Sequence, residues 1–406
     1  MQKIVQKFGG TSVGTIEKIR QVASLISKER NKGNQVAVVS SAMSGETNRL
    51  VSLAENFDIY NNKVEYDMIV STGEQVSIAL ISMALKAIGI KGKPLLGWQI
   101  PIIGSDEPTK AKINKINGKL ILKIMSEGEI PIIAGFQGID KNNNIVTLGR
   151  GGSDTSAVAI AASISADRCD IYTDVDGIYT TDPRIVKKAK KLDKISYEEM
   201  LEFASLGAKV LQTRSVEMAM RYGVVVQVLS SQTAKKGTFL TKEDKKMENE
   251  EVSGIAYSKD EANITLINIL DKPGVATKIF SPLSEANINV DMIVQTGSEN
   301  GKKINFTYTV SRKDLKQTIS IMEDNKNNIE FETIITNDSL AKVSIVGLGM
   351  RTHTGVANKM FSSLASKNIN IHVISTSEIK ISVLINEDSI NEALNILHST
   401  FELDKK

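Results

Sequence analysis

Residues 273–296 (PGVATKIFSPLSEANINVDMIVQT) align without a gap to residues 354–377 (TGVANKMFSSLASKNINIHVISTS), an offset of 81 residues, and this repeat limits the possible folds most. Gly, Val, Ala, Lys, Phe, Ser, Leu and Asn-Ile-Asn recur in register. Chance likeness between two amphipathic helices would not keep both the glycine at one end and the Asn-Ile-Asn at the other. Each copy reads strand, turn, helix, strand, followed by a further strand (302–310 and 379–385) and a second helix. The chain therefore ends in two copies of one small α+β module, and such repeats stabilise each other by stacking or side-by-side pairing.

The first 230 residues have a different rhythm. Short β-branched runs at 3–7, 35–41, 130–138, 170–175 and 224–230 alternate with helical periodicity at 15–30, 69–88, 155–166 and 196–222. In the first helix Ile16, Ile19, Ala23 and Ile26 share a face. The continuous apolar run at 35–41 (QVAVVSS) predicts a strand covered on both sides. Alternation of this kind predicts a largely parallel sheet with helices on both faces. Between the two regions lies a mostly charged stretch, 235–251 (KKGTFLTKEDKKMENEE), read as a linker or a solvated helix at a domain edge. A chain of 406 residues is too long for one ordinary core, and these divisions supply two or three.

Composition removes several function classes. With 41% hydrophobic and 24% charged residues the chain reads as folded and soluble. A net charge of +3, without a long basic run, implies neither nucleic acid nor a membrane surface as partner. No apolar run approaches the roughly 20 residues that span a bilayer, and MQKIVQKFGG reads as a first strand rather than a signal peptide. Cys169 is alone, so no intrachain disulfide or multi-Cys zinc site exists, and a cytoplasmic location is expected. The three histidines, His353, His372 and His398, all lie late. Chemistry in the first domain must proceed without imidazole, which rules out Ser-His-Asp triads and HExxH sites there.

Four segments remain as candidates. Gly9-Gly10-Thr11-Ser12 follows a strand and precedes a helix, where backbone N–H groups and the helix dipole favour an anion and Lys7 can add its ammonium. No Walker A loop occurs, and a lone Gly-Gly is more often a plain tight turn. Residues 149–154 (GRGGSD) again precede a helix; Arg150 offers a fork for a carboxylate, and Asp154 stands where a helix N-cap would. Residues 172–184 (YTDVDGIYTTDPR) follow a buried type of strand, at the position where α/β proteins bind nucleotides, and lack the carboxylate spacing of a calcium loop. Glu74, in 71–74 (STGE), can hold an ammonium group or simply stabilise a helix start.

Together with 207–212 (GAKVLQ), these segments, in order along the whole chain, resemble the signature run of the aspartate kinases within the amino-acid kinase family, and the repeat resembles that family's paired ACT modules. The resemblance implies an amino-acid kinase fold, mostly parallel at its centre, followed by two ferredoxin-like modules. The boundaries are 1–234 for the catalytic domain, 235–251 for the linker, 252–337 and 338–406 for the modules, the strand near 252–258 being open to sharing. It implies that Lys7, Gly9 and Gly10 hold the phosphoryl group, with Lys7, Asp154 and Lys209 catalytic. Ser41, Thr47, Glu74, Arg150, Ser153 and Asp154 would bind L-aspartate, Glu74 taking its ammonium and Arg150 its α-carboxylate. Thr173, Asp174, Tyr179, Arg184 and Lys209 would bind ATP, whose oxygens and water would hold Mg²⁺. Asp271, Gly274, Val275, Ala276, Asn289, Val290, Asp291 and Gln295 would bind an inhibitory end product, lysine or threonine or both. The second module has Thr354 for Pro273, which puts its effector capacity in question. Further expectations are a homodimer or larger oligomer through the ACT modules and a regulatory subunit made separately from Met247. Two other readings compete: a glutamate or N-acetylglutamate kinase, and a non-catalytic amino-acid sensor.

Overall fold

The computed structural model describes residues 1–206, 210–233, 235–297 and 303–405. Their contacts divide into two compact units, Met1–Tyr179 with Lys191–Lys245, and Thr180–Lys190 with Lys246–Lys406.

The first unit is built on an eight-stranded sheet in the order Lys194–Ser196, Thr238–Thr241, Val226–Ser230, Arg168–Thr173, Lys3–Phe8, Gln35–Ser40, Ile130–Ala134, Gly92–Leu95. All neighbours are parallel except Val226–Ser230 and Thr238–Thr241. In Gln35–Ser40 every residue after the first is buried, as a strand covered on both faces requires. Helix Ile16–Asn31 starts where the Thr15 hydroxyl accepts the Lys18 N–H at 3.3 Å. It buries Ile19, Val22, Ala23 and Ile26, whereas Ile16, expected on that face, is 45% exposed.

Other expectations are corrected. The run 130–138 breaks at Gly135–Phe136, where Phe136 takes a positive φ of 68°. Its second part, Gln137–Ile139, joins a separate four-stranded sheet. The helix expected over 69–88 begins earlier, as Lys63–Val70 followed directly by Thr72–Ala87. This 25-residue stretch, Lys63–Ala87, is long and apolar enough to cross a membrane by composition, yet half of its most apolar 18 residues are buried inside the protein. The single helix expected over 196–222 is two, Tyr197–Ser205 and Thr213–Tyr222. The segment 235–251, expected as linker, supplies the sheet strand Thr238–Thr241, whose alternate residues Thr238 and Leu240 are buried.

The second unit carries the repeat on one six-stranded antiparallel sheet, Val290–Gly297, Lys303–Val310, Gly254–Leu270, Thr333–Val346, Lys380–Asn386, Val373–Thr376. Its two long central strands serve both modules. Gly254–Ser258 pairs with 342–346 of the second module, and Ala262–Leu266 pairs with 306–310 of the first. The repeat's retained residues now have a reason. Gly274 and Gly355 cap helices Val275–Glu285 and Val356–Ala365 at φ 92° and 87°, and Asn287 and Asn368 both take positive φ, 56° and 58°.

Candidate active site

Within the first unit, the motif residues gather at the C-terminal ends of three neighbouring parallel strands. Lys7 lies near the end of Lys3–Phe8, and Gly9 continues it in extended backbone before a short 3₁₀ turn, Gly10–Ser12. The Gly9 N–H donates to the Tyr172 carbonyl at 3.2 Å, and Phe8 and Tyr172 stack with ring centroids 4.7 Å apart. A Cβ on Gly10 would stand 2.9 Å from the Ala42 carbonyl oxygen, so this close approach requires glycine.

Lys7 reaches Asp154 with Nζ 2.6 Å from Oδ1, both side chains nearly buried. A Cβ on Gly9 would be 3.4 Å from the same Nζ, which places the ammonium beside the glycine backbone. Asp154 was expected as an N-cap. It instead occupies the first turn of helix Gly152–Ser163, whose cap is Gly151 in the left-handed region at φ 71°. The glycines allow the chain to turn there, and a Cβ on Gly151 would collide with Gln212 Cγ at 1.9 Å. Ser153 packs under Gly135, whose N–H donates to the Ser40 carbonyl at 3.0 Å.

Glu74 approaches from helix Thr72–Ala87. Its Oε1 accepts the Ala42 N–H at 3.0 Å, and among the described residues its buried Oε2 has no partner. Burial dominates and raises its pKa to about 8, against the opposing pull of the Ala42 hydrogen bond. Ser41 is half-buried, its N–H donating to the Phe8 carbonyl at 3.0 Å, and Thr47 is half-buried in the first turn of helix Glu46–Ala54. Arg150 is exposed on the loop between Gly149 and Gly151. Thr173 ends the strand beside Lys3–Phe8, and its hydroxyl donates to Asp174 at 3.0 Å. The Tyr179 hydroxyl donates to Asp176 at 2.8 Å.

Arg184 belongs to the second unit, where it pairs with Asp182 at 2.8 Å. Lys209, and with it 207–208 of the GAKVLQ segment, lies outside the described residues. In the first ACT module, Asp271, Gly274 and Ala276 are exposed around the turn into helix Val275–Glu285, where Val275 is buried. Asn289, Val290, Asp291 and Gln295 lie on and beside strand Val290–Gly297. Asp291 pairs with the buried Lys342 at 2.6 Å, and Lys342 also holds Glu261 at 2.8 Å.

Three positioning residues escaped the sequence reading. Asp67, fully buried, accepts the Thr109 N–H at 2.8 Å, the Thr147 N–H at 2.9 Å and the Thr147 hydroxyl at 2.6 Å. Burial raises its pKa, and the three hydrogen bonds pull the other way. It ties the helix before Glu74 to the strand before Arg150. Arg214 donates to the carbonyls of Leu148 and of Ala111, holding the same loop from its other side. Gln137 donates to the Ser71 carbonyl at 2.9 Å. A polar residue inside an apolar helical run, as Asp67 is, was the available signal.

The amino acid kinase family matches residues 2–230, and the ACT domain matches residues 264–327 and 343–401. The aspartokinase of Pseudomonas aeruginosa is 52% identical over 406 residues, covering 100% of this chain and 98% of that protein. Aspartokinase 2 of Bacillus subtilis is 47% identical, covering 100% and 99%. Among solved structures, E. coli aspartokinase III in complex with aspartate and ADP, titled as the R-state, superposes with a TM-score of 0.79 at 27% identity, covering 98% and 99%. The same enzyme with lysine and aspartate, titled as the T-state, gives 0.79 at 26%, covering 98% of this chain and 99% of that one. With an amino acid kinase domain followed by a doubled ACT module, and about half of its residues shared with aspartokinases along its whole length, the chain belongs to the aspartate kinases of the amino acid kinase family.

Proposed function

We propose that the chain transfers the γ-phosphoryl group of ATP to the β-carboxylate of L-aspartate, giving 4-phospho-L-aspartate, the first step toward lysine, threonine and methionine. The observation that carries this reading is the Lys7–Asp154 pair beside the Gly9–Gly10 backbone, with the buried Oε2 of Glu74 unpartnered among the described residues. An aspartate side chain has a reference pKa of about 3.9 and is already an anionic nucleophile at neutral pH. No general base is required, which suits a site without histidine. The protein must align the two reactants and neutralise phosphoryl charge.

Lys7 has three N–H donors; one serves Asp154, and the others are left for phosphoryl oxygens. Glu74 takes the substrate ammonium on Oε2, and Arg150 takes the α-carboxylate, helped by Ser41, Thr47 and Ser153. Thr173, Asp174, Tyr179, Arg184 and Lys209 serve ATP. Mg²⁺, held chiefly by the ATP oxygens, supplies further charge neutralisation. Arg150→Ala should raise the KM for aspartate at least tenfold, the scale of a lost charged contact, and leave ATP binding nearly intact. Faster turnover with glutamate or N-acetylglutamate than with aspartate would sink the assignment.

Regulation belongs to the same reading. Asp271, Gly274, Val275, Ala276, Asn289, Val290, Asp291 and Gln295 receive lysine or threonine, and an inhibition screen with each amino acid alone and together separates them. The E. coli enzyme solved with lysine supports this. Association of copies through the ACT modules, a cytoplasmic location consistent with the single buried Cys169, and a separate subunit started at Met247 complete the proposal.

A further inference from the structure

A strained turn stands beside the loop that carries Arg150. The Lys110 N–H donates to the Glu107 carbonyl at 3.3 Å, closing a four-residue turn with Pro108 second and Thr109 third. Proline suits the second place of both common turn types. Thr109 has a φ of 72°, as the type II form requires of its third residue, and glycine or asparagine normally stands there. A β-branched residue in this left-handed region is unfavourable and persists only where its surroundings hold it. With threonine third, the turn by itself would rest in the type I form, which differs by a flip of the peptide between Pro108 and Thr109.

Asp67 holds that peptide. Its Oδ2 accepts the Thr109 N–H at 2.8 Å, and a flip would set the Pro108 carbonyl oxygen against the carboxylate instead. The same carboxylate accepts the Thr147 N–H at 2.9 Å and the Thr147 hydroxyl at 2.6 Å, and the Ala111 N–H donates to the Thr147 carbonyl at 3.0 Å. The turn is thereby strapped to strand Ile145–Thr147, which runs on through Leu148 and Gly149 to Arg150. Contact continues past the strand. A Cβ on Gly149, whose φ is 71°, would lie 3.2 Å from the Thr109 carbonyl oxygen and 3.9 Å from the Lys110 Cα. Arg214 ties the two segments once more, donating to the carbonyls of Ala111 and Leu148. All of these residues belong to the first unit.

We infer that Asp67 is a positioning residue for the α-carboxylate of aspartate: by imposing the type II form on Thr109 it fixes the wall against which the Arg150 loop packs. The inference rests on the reading that Arg150 takes that carboxylate. A carboxylate suits the task better than an amide, because it accepts from all three donors and brings no hydrogen of its own. When the turn relaxes, the Thr109 carbonyl leaves Gly149, and the guanidinium one residue further on loses its fixed place.

Steady-state kinetics on the full chain test this. Asp67→Asn should raise the KM for aspartate about fivefold, the worth of one hydrogen bond, with the KM for ATP unchanged within about twofold. Glycine holds the type II form unaided, so in a Thr109→Gly chain the same Asp67→Asn change should raise the KM for aspartate less than about twofold. Thr147→Val removes one hydrogen bond rather than three, and it should show the same pattern in weaker form. A loss of equal size in both backgrounds would overturn the inference, because the effect would then pass through the helices that carry Asp67 and Glu74. A lowered melting temperature with an unchanged KM for aspartate would overturn it too. Arg150→Ala is measured beside them. If it leaves the KM for aspartate unchanged, the α-carboxylate assignment itself is wrong. If it raises that KM and Asp67→Asn does not, only the role of Asp67 falls.

Discussion

Glu74 shows how one residue's surroundings set its chemistry. Its carboxyl is buried, and burial, outweighing the Ala42 hydrogen bond, raises its pKa from 4.5 to about 8. At neutral pH without substrate it is therefore largely protonated, whereas an ammonium ligand favours the ionised form. The KM for aspartate should accordingly fall as pH rises from 6 through about 8. Glu74→Gln should flatten that profile and weaken binding throughout; a profile unchanged by the substitution would show that another group titrates. The sign for stability is opposite. Because the folded-state pKa is the higher one, the stabilisation is complete below pH 4.5 and is lost as pH rises through about 8. Thermal unfolding of the ligand-free chain should show this loss, and Glu74→Gln should lack it.

At the scale of elements, the repeat was the most legible feature because it is written in backbone conformation. Gly274 and Gly355 cap equivalent helices in the left-handed region, and no atom of the described residues lies within 4 Å of a Cβ added at either. Gly355→Ala should therefore cost only the conformational penalty, about 1–2 kcal/mol. Gly151→Ala should cost more, since its Cβ would also strike Gln212 at 1.9 Å; denaturant midpoints for the pair measure the difference. Helix and strand positions in the first unit were likewise readable from apolar period, as in Ile19, Val22, Ala23 and Ile26. What sequence could not show was where tertiary pairing overrides local pattern. Thr238–Thr241 lies in a charged stretch yet pairs with two strands, and the run 130–138 splits at Phe136 between two sheets. The site followed the same division. Lys7, Asp154 and Glu74 are candidates because glycine turns and helix starts mark them. Asp67 and Arg214 act through contacts more than 40 residues away in sequence; only the polarity of Asp67 within an apolar helical run hinted at either.

The division of the whole chain into two units does not coincide with a cut at the charged stretch. A polypeptide beginning at Met247 would contain both ACT modules but not Thr180–Lys190, which the second module buries. It would lose Val186, 3% exposed in the intact core, at a cost of roughly 1.5–3 kcal/mol for one aliphatic side chain. It would also leave His398, 1% exposed, without its Thr180 partner. The fragment 247–406 should therefore melt lower than the second unit within the full chain. A synthetic peptide covering 180–190 should raise its melting temperature in proportion to the logarithm of peptide concentration once binding is saturating. The same peptide with Val186→Asp should do nothing, because it would bury an unpaired carboxylate in that core. If the fragment were already as stable as the intact unit and indifferent to the peptide, the loop would be a passenger. If the peptide binds, a separately made regulatory subunit would still depend on this loop from a full-length chain.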